Sequence, residues 1–221
     1  MAHPRIGIFG GTFNPVHEGH LKVAGACRKA LGLDRIRFIP AGEPPLKTHN
    51  LAPAAHRLEM VRIAIHGIPE FEVDDREVRR DGPSYTLDTV NSLKAEQPDT
   101  RWTLILGLDA VLGLGAWHRP DALLRALPLA VLFRPGARFG QLKDLPQMAG
   151  IDFSPLFDCC GRDPEAPLHL TSGDGIHLIL VPVTPCPESG TAIRKALAEG
   201  RPPLGLPPAV HDYITRNGLY T

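Results

Sequence analysis

Residues 5–20 read Arg5-Ile6-Gly7-Ile8-Phe9-Gly10-Gly11-Thr12-Phe13-Asn14-Pro15-Val16-His17-Glu18-Gly19-His20. The apolar run 5–9 has the length of a strand and stops at a glycine pair, the pattern of a buried strand entering a tight turn. Past the turn, Leu21, Ala24, Cys27 and Leu31 recur at helical spacing, so 18–31 reads as an amphipathic helix. The alternation then repeats. Residues 35–39 form a second strand stopped by Pro40, and Ala54, Leu58, Val61 and Ile65 mark a second helix. Residues 71–73 give a third strand, Leu87, Val90 and Leu93 a third helix, and 102–106 and 129–133 two more strand-length runs. Strands alternating with helices in this way predict a parallel sheet covered on both faces.

Residues 134–187 break the rhythm, being rich in Pro, Gly and Asp with little periodicity apart from a strand at 176–181. The stretch 137–187 therefore reads as an elaborated connection that closes with another strand. In 188–221 helical spacing returns at Ile193, Ala196 and Leu197, and again at Val210, Tyr213 and Ile214. The expectation is one domain over 1–221: a Rossmann-like three-layer α/β sandwich with a parallel central sheet and C-terminal helices.

Composition narrows the partners. At 221 residues and 43% hydrophobic, the chain can bury a core of ordinary size. Lys plus Arg equals Asp plus Glu at 24 each, so the basic excess of a nucleic-acid-coating protein is missing, while a small anion needs only a local group of donors. Cys27, Cys159, Cys160 and Cys186 make no CxxC pair, which argues against a disulfide scaffold or thiolate zinc site. No stretch approaches the ~18 apolar residues of a membrane span. A soluble, cytoplasmic protein is expected, with no nucleic-acid or membrane partner; a homo-oligomer is compatible with the sequence.

The chemistry concentrates in the first turn. Gly10 and Gly11 let the backbone approach a ligand closely, and the helix that follows offers free N–H groups to an anion. His17 and His20, three apart at the helix start, lean over one side. Two imidazoles beside a helix N-terminus suit a phosphoryl group whose charge grows in the transition state. Other readings of the motif fare less well. The dinucleotide fingerprint GxGxxG is absent, and the second strand ends Phe38-Ile39-Pro40-Ala41 with no acidic residue for a ribose. A zincin helix needs histidines four apart. A plain helix cap would explain an isolated HxxH, but not the strand and glycine turn before it.

Those residues resemble a known family. GGTFNPVHEGH is similar to the HxGH signature of the nucleotidyltransferase superfamily, in the form found in bacterial nicotinate-nucleotide adenylyltransferases. The resemblance covers nearly the whole chain. Ser84-Tyr85-Thr86-Leu87-Asp88-Thr89 resembles that family's SYTxDT, and Gly107-Leu108-Asp109 with Trp117-His118 its GxD…WH segment. Phe133-Arg134-Pro135-Gly136 resembles its RPG turn, Ser189-Gly190-Thr191-Ala192-Ile193-Arg194 its SSTxIR, and 213–220 its ending. Two positions depart. Leu46 stands in Pro44-Pro45-Leu46-Lys47 where PPHK is usual, leaving Lys47 as that loop's only charge, and Gly190 replaces a hydroxyl residue while keeping its backbone N–H.

The resemblance implies attack by a nucleotide 5′-phosphate on the α-phosphorus of ATP, with pyrophosphate leaving and Mg²⁺ accompanying ATP as the only cofactor, without a dedicated protein metal site. It casts His17, His20, Lys47 and Arg194 as catalytic. ATP falls to Gly10, Gly11, Thr12, Phe13, His20, Gly107, Asp109, Ser189, Thr191 and Arg194. Nicotinate mononucleotide falls to Thr12, Lys47, Ser84, Tyr85, Thr86, Trp117, His118 and Arg134. Plainer roles stand beside several of these: Arg194 as a solvated helix residue, Asp109 and Ser84 as helix caps, Trp117 as core. Nicotinamide mononucleotide or phosphopantetheine as acceptor, or a nucleotide-binding regulator without turnover, are the competing functions.

Overall fold

The computed structural model describes residues 3–47, 49–134, 140–157 and 166–221. Pro135 and Gly136 of the RPG-like turn, with Cys159 and Cys160, lie outside them. Seven strands form one sheet in the order β3-β2-β1-β4-β5-β7-β6. Their ranges are β1 Arg5–Gly11, β2 Arg35–Pro40, β3 Phe71–Val73, β4 Arg101–Gly107, β5 Leu129–Phe133, β6 Leu168–Thr171 and β7 His177–Pro182. β1 lies at the centre, Ile6 opposite both Arg35 of β2 and Trp102 of β4. Strand order reverses between β1 and β4, so a crevice opens where their carboxyl ends diverge.

Side-chain alternation builds the two cores. Leu104 and Leu106 of β4 and Leu178 and Leu180 of β7 face one side, Ile105, Ile179 and Val181 the other. On the first face lie α4 (Thr86–Glu96), α5 (Leu108–Leu112) and α6 (Pro120–Ala126), through Leu87, Val90, Leu93, Val111, Leu123 and Leu124. On the second lie α1 (Glu18–Leu31) and α2 (Ala54–Ile65), through Ala24, Cys27, Met60 and Val61. α9 (Gly190–Ala198) and α10 (Pro208–Arg216) join them with Ile193, Val210 and Ile214. This is the expected three-layer sandwich with its C-terminal helices.

One expectation needs correction. The sheet is not wholly parallel: β6 pairs antiparallel with β7 at its edge. Of the four β6 residues only Leu170 is fully buried, too little apolar pattern to announce a strand. The connection 137–187 also carries short helices, α7 (Gly140–Lys143) and α8 (Ser154–Phe157), whose Leu142 and Leu156 enter the first core. The four-residue α3 (Arg76–Arg79) precedes α4.

Candidate active site

β1 delivers Gly10 and Gly11 to the crevice, and the chain turns through Phe13, at φ 48, and a cis Asn14–Pro15 peptide before His17 caps α1. Asn14 fixes the turn: its carboxamide oxygen accepts from Ala52 N–H at 3.0 Å and from the Tyr220 hydroxyl at 2.7 Å, and its Nδ2 donates to Asn50 O at 2.7 Å. The rings of His17 and His20 lie 3.8 Å apart between centroids. His20 also packs edge-on against Phe13 at 5.1 Å. Gly19 makes this stacking feasible, because a Cβ there would lie 3.0 Å from His17 Nδ1.

The backbone fixes the tautomer of His20. Its Nδ1 accepts the His17 N–H at 3.2 Å, so in the neutral ring the proton sits on Nε2, the nitrogen free to donate elsewhere. Burial pushes His17 down to about 4, opposed by the Glu188 charge. Burial, then His17, then Lys47 push His20 down to about 3. Both rings are therefore neutral at physiological pH, able to donate or accept a hydrogen bond. Glu188 is itself held by Lys22 at 2.7 Å, and Lys22 also reaches Glu18 at 3.1 Å.

A cleft of about 1320 Å³ runs from this turn across the ends of β1, β4 and β5. Gly10, Gly11, Thr12, Phe13, His17, His20, Lys47, Ser84, Tyr85, Thr86, Gly107, Asp109, Trp117, His118, Arg134, Ser189 and Thr191 all line it. At its far end the rings of Tyr85 and His118 stack 4.2 Å apart at 22°, forming a flat wall near the partly buried Trp117. Leu46, 58% exposed, stands beside Lys47 at the lip.

The structure adds contacts to several residues read from the sequence and moves two of the suggested helix caps. Arg194 holds the turn, its Nη1 donating to Asn14 O at 2.7 Å and its Nη2 to Thr191 Oγ1 at 3.3 Å at the edge of the cleft. The cap of α4 is Tyr85, not Ser84, whose hydroxyl accepts the Gly42 and Glu43 N–H groups at 2.9 and 3.2 Å. The cap of α5 is Gly107, which leaves the Asp109 carboxylate free of that duty. Ser189 caps α9, its Oγ accepting from Ala192 N at 3.2 Å.

The sequence reading also missed residues. Arg57 is 2% exposed and donates to Ala52 O, Thr12 O, Ala41 O and Gly42 O. The signal was a cation interrupting the apolar stripe of α2 between Ala54 and Val61. Buried Glu77 accepts from Thr89 Oγ1 at 2.6 Å under the start of α4, and burial holds its carboxyl above the usual carboxylate range.

A mostly parallel sheet with a glycine turn and an imidazole pair over the crevice at its switch point has the architecture of an α/β nucleotide-binding protein. Residues 8–196 match the cytidylyltransferase-like family model. Over its full length the chain is 40% identical to a probable nicotinate-nucleotide adenylyltransferase of Aeromonas salmonicida, covering 100% of this chain and 99% of the relative. It is 37% identical to one from Thermomicrobium roseum, covering 98% and 91%. The chain belongs to the nicotinate-nucleotide adenylyltransferase family, within the cytidylyltransferase-like proteins. Its fold is also that of the Plasmodium falciparum nicotinic acid mononucleotide adenylyltransferase solved with NaAD, at TM-score 0.71 and 18% identity over 99% of this chain and 98% of that one.

Proposed function

We propose that the protein transfers AMP from ATP to nicotinate mononucleotide, forming nicotinate adenine dinucleotide and pyrophosphate. An oxygen of the acceptor's 5′-phosphate attacks the α-phosphorus; the bond from that phosphorus to the bridging oxygen of the β-phosphate breaks, and pyrophosphate leaves with the electron pair. The nucleophile is already ionised near neutral pH, so no general base is required, and catalysis is positioning and charge stabilisation. The observation that carries this reading is the His20 ring, half-buried and neutral, with Nδ1 committed to the backbone and Nε2–H left as a donor beside the glycine turn. His17 stacks on it. Lys47 supplies the cation at the lip, and Asp109 a carboxylate at the end of β4.

Mg²⁺ fits this donor set as a passenger on the triphosphate. Asp109 is a carboxylate lining the cleft at the end of β4, and an ion carried on phosphate keeps most of its waters and takes few protein ligands. When bound it would neutralise phosphate charge, and Asp109 would accept a hydrogen bond from its hydration shell.

Preference for the acid over the amide follows from the start of α4. The Thr86 and Leu87 N–H groups have no acceptor among the described residues and lie at the positive end of an 11-residue helix lining the cleft. A carboxylate accepts from both, whereas an amide presents one acceptor and an NH₂. Losing charge-assisted bonds costs roughly 1.5–3 kcal/mol, about ten- to more than a hundredfold in kcat/KM. The experiment measures kcat/KM for nicotinate mononucleotide, nicotinamide mononucleotide and phosphopantetheine with ATP and Mg²⁺. Equal values, or a preference for either of the last two, reject this assignment; no pyrophosphate release with any acceptor favours a silent regulator.

A further inference from the structure

We propose that Arg57 is a positioning residue for the transferred phosphate: it gathers backbone carbonyls behind the glycine turn and thereby aims the Phe13 N–H into the cleft. The inference rests on the adenylyl-transfer reading above. Arg57 is among the most buried side chains of the protein, and among the described residues no carboxylate lies within ion-pair distance of it. Its charge is met by carbonyl oxygens alone. Nε donates to Ala52 O at 2.9 Å, Nη1 to Thr12 O at 2.9 Å and Ala41 O at 2.6 Å, and Nη2 to Gly42 O at 2.8 Å. These oxygens belong to three separate segments: the first turn, the exit of β2 and the approach to α2.

A trans peptide carries its C=O and N–H in opposite directions. Each carbonyl drawn to Arg57 therefore turns the next residue's N–H away from it. For Ala41 and Gly42 the result is visible: the N–H groups of Gly42 and Glu43 both end on Ser84 Oγ, at 2.9 and 3.2 Å. The Thr12 carbonyl is held in the same way, and the Phe13 N–H opposite it has no acceptor among the described residues. Thr12 and Phe13 both line the cleft beside His20. Two of the three reversed donors are satisfied inside the protein, and the third is left for a phosphate oxygen. The guanidinium also polarises the peptide it holds, strengthening that donor. A lysine has one ammonium and cannot reach four acceptors in a planar fork.

The test compares wild type, Arg57→Lys and Arg57→Ala. In Arg57→Lys, kcat is expected to fall about ten- to a hundredfold, the scale for a reacting group misplaced by about 1 Å, while KM for ATP changes by less than about threefold. In Arg57→Ala, methylguanidinium is expected to restore part of the lost kcat, because a second hollow of about 450 Å³ ends on this side chain. In wild-type protein, the Phe13 amide proton should shift downfield when α,β-methylene-ATP and Mg²⁺ are added. A folded Arg57→Lys protein with kcat within about twofold of wild type overturns the inference, on the same scale. So does an unmoved Phe13 amide, a measurement that decides the matter even where the variants fail to fold. Wild-type protein that moves no AMP overturns the functional reading and this inference with it; active protein with an unmoved amide overturns this inference alone.

Discussion

The imidazoles of His17 and His20 were legible in the sequence because a motif states them outright, whereas their protonation was not. Their neutral state comes from burial, joined at His20 by the neighbouring His17 and Lys47. That state has a cost in acid. With folded values of about 4 and about 3 against 6.5 for a free ring, the two histidines contribute nothing pH-dependent above about 6.5. Below it the unfolded chain takes up protons that the native rings refuse. Stability is thus lost as the pH falls below 6.5, down to about 4 on account of His17 and to about 3 on account of His20. His20→Asn should flatten this acid limb in melting experiments while lowering kcat about 10²-fold or more through loss of the Nε2–H donor. An unchanged acid limb would refute the burial argument, and a near-normal kcat the catalytic one. Arg57 left a local trace, a cation in the apolar stripe of α2, but its four carbonyl partners and the lysine 166 positions from Glu188 are set by the fold, not by local pattern.

At the scale of elements, α1 runs Glu18–Leu31 and β3 Phe71–Val73, the spans that spacing alone predicts, since apolar periodicity and its stops define both. α3 and α6 escaped because four or seven residues hold too few turns to show a stripe. How α4 meets the β2 exit was equally invisible. Ser84 accepts two N–H groups there, and Gly42 packs so closely on α3 that a Cβ would lie 2.2 Å from Glu77 O. Removing the Ser84 hydroxyl strands two inward-facing donors, a loss of about 1–3 kcal/mol. Urea unfolding of Ser84→Ala should show a lower midpoint of that size with an unchanged slope. A midpoint equal to wild type would return Ser84 to the role of a substrate contact only.

Across the whole molecule, the position of β1 between β2 and β4 puts the reaction centre at the switch point, and the alternation of strands and helices foretold that much. The antiparallel β6 edge and the closing of the C-terminal region on the first turn were not foretold. α10 docks on α2, with His56 Nδ1 and the Tyr213 hydroxyl 2.8 Å apart, and Tyr220 then reaches Asn14. Tyr220→Phe should lower stability by about 1 kcal/mol, read as a shifted denaturation midpoint, because Asn14 loses one of two hydrogen bonds on its oxygen. No shift would mean that the contact is incidental.

The Tyr220–Asn14 bond joins positions 206 apart. Closing so long a span from an open chain is entropically unfavourable, so the contact forms once the sheet and α10 have already brought its ends together. The turn bearing both imidazoles opens the sequence, yet it is among the last parts of the protein to set. A refolding chain should regain its strands and helices first, and its capacity to bind nucleotide only afterwards.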